Sequence, residues 1–128
     1  MKRPWTLALS MLAGIAIGAT VVGKLNAQST AKGYAVVEID VTKEEPYLKE
    51  YAPTAGKVLT DAGGKYLARG GKAVGIDGDP PKKRVVILEF ENVEKAQAAF
   101  TSAPYREGRK TGDKYAKFRV YAVEGVSQ

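Results

Sequence analysis

The segment Arg84-Val85-Val86-Ile87-Leu88-Glu89-Phe90 constrains the fold more than any other part of the chain. It is rich in β-branched residues and apolar on both alternating faces. That pattern predicts a central strand with neighbours on either side. Gly33 to Val41 also reads as a strand, but its two faces differ. Ala35, Val37, Ile39 and Val41 fall on one face, and Tyr34, Val36, Glu38 and Asp40 on the other. The first face suits a layer of helices, whereas the second is apolar at its start and acidic at its end.

Between these strands, Thr42-Lys43-Glu44-Glu45 has the form of a capping box, the Thr42 hydroxyl reaching the Glu45 amide. Pro46 fits a first helical turn. Tyr47, Leu48, Tyr51, Ala52, Ala55, Val58, Leu59 and Ala62 then recur near helical spacing. Pro53 should kink or restart this helix, and Gly63-Gly64 should end it. Lys65 to Arg69 is a short strand, and Lys72 to Ile76 is either an extra strand or a flap between glycine turns. Asp79-Pro80-Pro81-Lys82-Lys83 is a stiff polar loop. Asn92 caps a second helix from Val93 to about Ala103, and Pro104 stops it. Gly108 and Gly112 weaken any helical turn from Tyr105 to Gly112. Tyr115 to Val123 is the last strand. The order β-α-β-β-α-β gives an α+β chain, a ferredoxin-like sandwich of four antiparallel strands with two helices on one face. Apolar residues left on the other face predict a partner, a second copy packed sheet to sheet.

Residues 1–27 stand apart from this pattern. Met1-Lys2-Arg3 is a basic start, Pro4 to Gly23 is uncharged, and Leu25-Asn26-Ala27 offers a small residue at a cleavage position before Gln28. This is the layout of a bacterial signal peptide, so the domain is expected to be periplasmic or secreted. The alternative is an uncleaved inner-membrane anchor over residues 4–23, since about 20 apolar residues span a bilayer. Residues 28–32 form a linker, and residues 33–126 form one domain. The chain has no Cys and no His, and its Met and Trp residues all lie in the leader. Disulfides, thiolate and imidazole metal sites, His-ligated haem and His-based triads are excluded. No cofactor and no metal are expected. Any acid–base chemistry falls to Asp, Glu, Lys, Tyr or a bound ligand.

Several segments together resemble the family called domain of unknown function 1330. They are the Tyr34–Val41 strand, Tyr47-x-x-x-Tyr51-Ala52-Pro53, and Ala62-Gly63-Gly64-Lys65-Tyr66-Leu67-Ala68-Arg69-Gly70-Gly71. Pro81 to Phe90, Ser102-Ala103-Pro104-Tyr105 and Val123-Glu124-Gly125-Val126 complete the match over nearly all of residues 33–126. The resemblance implies a dimeric α/β barrel, in which two ferredoxin-like sheets enclose a cavity per protomer. It implies no particular activity. One stretch differs from the family pattern: Arg106 to Lys117 is more basic and contains glycine.

Two catalytic candidates follow from the strand alternation, Glu38 and Glu89, both on the face away from the helices with Asp40, Ile87, Arg119 and Tyr121. A carboxylate in a semi-enclosed apolar cavity would hold its proton more tightly and could move it. Arg69, at the end of the second strand, could grip a substrate carboxylate or enolate. Tyr47, Tyr105 and Tyr121 are the further substrate-binding candidates, since tyrosine hydroxyls can line a polar pocket. The plainer alternatives are cross-strand ion pairs at a dimer interface and tyrosines that close a small core. Arg106, Arg109, Lys110, Lys114, Lys117 and Arg119 read as a solvated face, not a nucleic-acid site. The sequence thus points to an exported homodimer that binds or transforms a small organic molecule. The alternative is a non-catalytic binding or stress-associated dimer. A membrane partner is expected only if the leader stays attached.

Overall fold

The computed structural model describes residues 31–127. The leader assigned to residues 1–27 therefore lies outside the described residues. Four strands form one sheet: β1 (Gly33–Val41), β2 (Lys65–Arg69), β3 (Arg84–Phe90) and β4 (Ala116–Glu124). Their spatial order is β2-β3-β1-β4, and every neighbouring pair is antiparallel. β3 and β1 are central, as their apolar character requires. Helical segments cover one face only, which is the ferredoxin-like α+β sandwich. Among the described residues no helix is long and apolar enough to cross a membrane.

Strand alternation decides what each face does. Ala35, Val37 and Ile39 of β1 and Val86, Leu88 and Phe90 of β3 point under the helices and are buried. Leu88 and Phe90 are the largest side chains with almost no exposure, each stabilising the fold by about 1.5–3 kcal/mol through removal from water. Ala96, Ala99, Leu59, Tyr47, Tyr51 and Tyr105 close this core from above. The register Val36↔Ile87 and Val36↔Tyr121 sets the opposite face. There Leu67, Tyr121 and Val123 are 50%, 42% and 52% exposed.

The first crossover is continuous from Glu44 to Asp61, but it changes pitch on the way. A short turn, α1 (Glu44–Pro46), leads into a π-helical turn (Tyr47–Tyr51) and then α2 (Ala52–Asp61). The Ala52 amide bonds back to the Tyr47 carbonyl, five residues earlier. Pro53 explains the widening. It has no N–H to offer the carbonyl four residues before it, and its ring would collide with that carbonyl in a regular α-helix. The predicted restart at Pro53 thus takes the form of a π turn. One helix-end expectation fails. Thr42 makes no capping box; its amide and hydroxyl and the Lys43 amide all donate to the Tyr115 carbonyl, at 2.8, 2.9 and 3.1 Å. That carbonyl, at the entry to β4, competes successfully for the hydroxyl. At the far end, Gly63 adopts φ +96° and its amide bonds to Thr60, while the Gly64 amide bonds to Leu59. This paired closure needs the left-handed conformation that glycine supplies without strain.

The second crossover holds two helices instead of one. Asn92 caps α3 (Val93–Thr101) through Lys95 as expected. Pro104 does not end the helical region; it sits in the first turn of α4 (Ala103–Gly112). Ser102 stands between the two helices in an extended conformation, and its hydroxyl accepts from the Tyr105 amide. The two glycines do not block α4, because Tyr105 is anchored in the core and Gly112 makes room for the Tyr51 ring. A Cβ at Gly112 would fall 2.7 Å from that ring. Gly70 to Lys83 carries no strand; it is an exposed connection between β2 and β3.

Candidate functional site

The cavity of interest lies between the helices and the sheet. Tyr47 and Tyr51 of the π turn, Tyr66 of β2 and Tyr105 of α4 line it, with Phe100 and Phe118. The wide pitch of the π turn puts Tyr47 and Tyr51 side by side, ring centroids 5.4 Å apart. The Tyr51 ring meets Phe118 edge-on at 5.3 Å, and Tyr105 meets Phe100 the same way at 4.9 Å. The Tyr51 hydroxyl donates to the Tyr105 hydroxyl at 3.3 Å. The innermost space is about 30 Å3, room for one or two waters. Tyr47 and Arg84 line it on one side and also line an outer groove of about 190 Å3 with Val41, Glu44, Leu48, Gly70 and Lys83.

Two arginines enter this cavity from adjacent strands. Arg84, the first residue of β3, shares the helix-side face with Val86, and its guanidinium lies 5.5 Å from the Tyr47 ring centroid. Arg69 reaches the same face through a bulge. Tyr66 pairs with Leu88 and Arg69 pairs with Val86, but Ala68 alone pairs with Ile87, which leaves Leu67 as the extra residue. Three positions apart in a regular strand, Tyr66 and Arg69 would point to opposite faces; because the bulge takes Leu67 out of the alternation, both point under the helices. The Arg69 guanidinium stacks 4.4 Å over Tyr66. It also fits against Gly56 of α2, where a Cβ would come within 2.7 Å of Nη2.

The tyrosine hydroxyls in this cavity hold their protons firmly. Burial raises the Tyr47 pKa above 10.0, against the pull of the Arg84 charge. Burial, then the neighbouring Tyr105, raises Tyr51. Burial raises Tyr66 against Arg69 and Arg84. These groups are hydrogen-bond donors at neutral pH, not bases. No carboxylate lines the inner cavity. Its side chains offer guanidinium, phenol and aliphatic groups, and among the described residues no cluster of three or more Asp or Glu could hold a metal.

The six residues singled out from sequence do not form one site. Tyr47, Tyr105 and Arg69 line the cavity under the helices. Glu38, Glu89 and Tyr121 lie on the opposite face of the sheet. Glu38 accepts from Arg119 at 3.2 Å in a directly opposed cross-strand pair. Glu89 stands opposite Tyr34, whose hydroxyl is 3.5 Å from its carboxylate. Arg119 lies 5.2 Å from the Tyr121 ring centroid. The strand alternation placed the carboxylates correctly; the bulge carried Arg69 away from them. Sequence reasoning missed Arg84, which reads as a strand's polar first residue. Its one available signal was even spacing from Val86, Leu88 and Phe90.

The sequence matches the family model described as domain of unknown function 1330 over residues 32–126. None of the curated proteins matches the chain. Among solved structures, it is similar to RPA0582, a protein of unknown function from Rhodopseudomonas palustris. The TM-score is 0.58 at 18% identity, covering 82% of this chain and 94% of that one. The methylated form of RPA0582 gives 0.56 at 18% identity, covering 80% and 90%. A conserved protein of unknown function from Bacteroides thetaiotaomicron gives 0.45 at 14% identity, covering 74% and 98%. The likeness to RPA0582 shows the shared fold, and the family match extends over most of the sequence. The chain belongs to the domain of unknown function 1330 family.

Proposed function

We propose that this chain is an exported homodimer that holds a small organic molecule in the cavity between its helices and its sheet, without metal or haem. The observation that carries the proposal is a cavity and a groove that share Tyr47 and Arg84 as a wall, lined by tyrosines that a simple core would not need. Four buried or half-buried phenols in one cavity give an apolar wall with several fixed donors, the composition of a small-molecule site. The absence of a carboxylate from the inner lining favours binding over proton abstraction. Chemistry there would rest on tyrosine donors and arginine charge stabilising an oxyanion. Glu38 and Glu89, on the other face, would serve the dimer and not the reaction.

Dimerisation is supported by the open face. Val36, Leu67, Ile87, Tyr121 and Val123 give it an apolar centre, and the Glu38–Arg119 and Tyr34–Glu89 pairs give it polar margins. An apolar centre with a polar rim is the usual anatomy of an interface. Export is supported by the basic start and uncharged run of residues 1–27.

Native mass spectrometry of the protein purified from its host tests the proposal. A dimer that begins at Gln28 and carries extra small-molecule mass is expected. A bare monomer would overturn both the partner and the ligand.

A further inference from the structure

Resting on the cavity as a small-molecule site, we infer that its ligand is a small organic anion, a carboxylate or enolate seated between Arg69 and Arg84. The charge pattern is the first reason. Five ion pairs occur among the described residues, and their cations are Lys49, Lys57, Arg109, Lys110 and Arg119. Neither Arg69 nor Arg84 is among them. Two like charges thus face one small cavity with no carboxylate partner. Glu44, in the wall of the outer groove, forms no ion pair with Arg84 within 4.0 Å. Lys83 adds a further positive charge to that groove.

The second reason is a missing hydrogen bond. Arg84 Nε is buried and has no partner, although buried polar atoms are paired in most proteins. Arg69 has only a long contact, 3.5 Å, to the Ala52 carbonyl.

The third reason is geometry. Arg69 stands opposite Val86, and Arg84 is two residues from Val86 on the same face. Such diagonal neighbours on paired strands are about 7–8 Å apart, a distance that two long side chains bridge through one shared carboxylate. Tyr66 and Tyr47 lie against the two guanidiniums, 4.4 and 5.5 Å from the ring centroids. Apart from the long Arg69 contact to Ala52 and the Tyr47 hydroxyl beside Arg84, the guanidinium N–H groups remain to grip a carboxylate. The anion sits beside Arg84, which lines both spaces, and the apolar body of the ligand lies in the outer groove of about 190 Å3 against Val41, Leu48 and the Tyr47 ring.

Calorimetric titration of the full chain with benzoate and hexanoate, each matched to its neutral amide, tests this. The acids should bind about tenfold or more tightly than benzamide and hexanamide, as expected for a charge-assisted contact. Arg69→Gln, on the exposed edge strand, should remove most of that preference, and so should Arg84→Lys, which keeps the charge but loses Nε–H and the planar fork. Thermal melts of both variants report their folding. Arg119→Gln, on the other face, should change nothing. Equal binding of acids and amides would overturn anion selectivity and leave the cavity proposal standing. Failure of all four probes would overturn both. A preference for acids abolished only by Arg119→Gln would place the anion on the open face and overturn the assignment to Arg69 and Arg84.

Discussion

The two faces of the sheet are made from the same strands, residue by residue in alternation, yet they carry different chemistry. On the covered face Val37, Ile39, Val86, Leu88 and Phe90 are dry, and polar groups enter only at the margin, as Arg84 and Arg69. On the open face the apolar centre stays half-exposed, and the carboxylates have neighbours that suit a surface: Glu38 has Arg119, Glu89 has Tyr34, and Asp40 stands in register with Lys117. The difference shows why a carboxylate on a strand is a weak guide to catalysis here. The acids lie where solvent or a partner can satisfy them, whereas the unpaired charges under the helices are positive.

The largest effect expected on the covered face is from Phe90→Ala, a loss of about 3–5 kcal/mol in urea denaturation. Phe90 is 2% exposed, and a loss below about 1 kcal/mol would mean that this face is not the core. Next, Ile87→Glu addresses the open face. It should convert the proposed dimer to a monomer by sedimentation, an interface loss of about 2 kcal/mol or more. A surviving dimer would move the interface elsewhere.

A smaller, pH-dependent effect follows from the cavity tyrosines. Tyr47, Tyr51 and Tyr66 keep their protons in the folded state to higher pH than the unfolded value of 10.0. Their contribution to stability is therefore complete below that value and is lost as pH rises above it, because the unfolded chain then releases protons that the folded chain retains. The slope is at most about 1.4 kcal/mol per pH unit for Tyr51 and smaller for Tyr47 and Tyr66, whose hydroxyls solvent partly screens. A denaturation midpoint that does not fall above pH 10 would show that these phenols are solvated. The smallest effect is expected from Glu38→Gln, less than about 1 kcal/mol, since Arg119 is 74% exposed and such pairs are weak in water. It should leave ligand affinity unchanged; a large loss would return Glu38 to the functional site.

Much of the fold was legible because alternation and helix stops are local signals. Val37, Ile39 and Leu88 announce their face by spacing alone, and Gly63 and Asn92 mark helix ends by their own chemistry. What stayed hidden depended on partners distant in sequence. Thr42 bonds to Tyr115, 73 residues away, so a motif that reads as a helix cap became a tie between elements. α4 was obscured because Gly112 was judged by helix propensity, when its role is to admit the Tyr51 ring. The candidate site was half legible. Tyr47, Tyr105 and Arg69 do share a cavity, but the acids expected beside them do not. Arg84 was overlooked because a charged residue at a strand's start ordinarily faces solvent.

The Leu67 bulge has a consequence for how relatives of this chain are compared. The strand has two phases: Lys65 and Tyr66 follow one, and Ala68 and Arg69 follow the other. If all five residues paired regularly, every letter of the strand would stay the same, yet one positive charge would turn from the interior of the protomer to its exterior; loss of Leu67 would instead leave Tyr66 and Arg69 two positions apart on one face. Loss of the bulge at unchanged strand length would therefore change what the pocket can hold more than most substitutions do. Two relatives with the same letters but different pairing here would have different pockets, whereas a relative lacking the residue at Leu67 would keep the arginine under the helices.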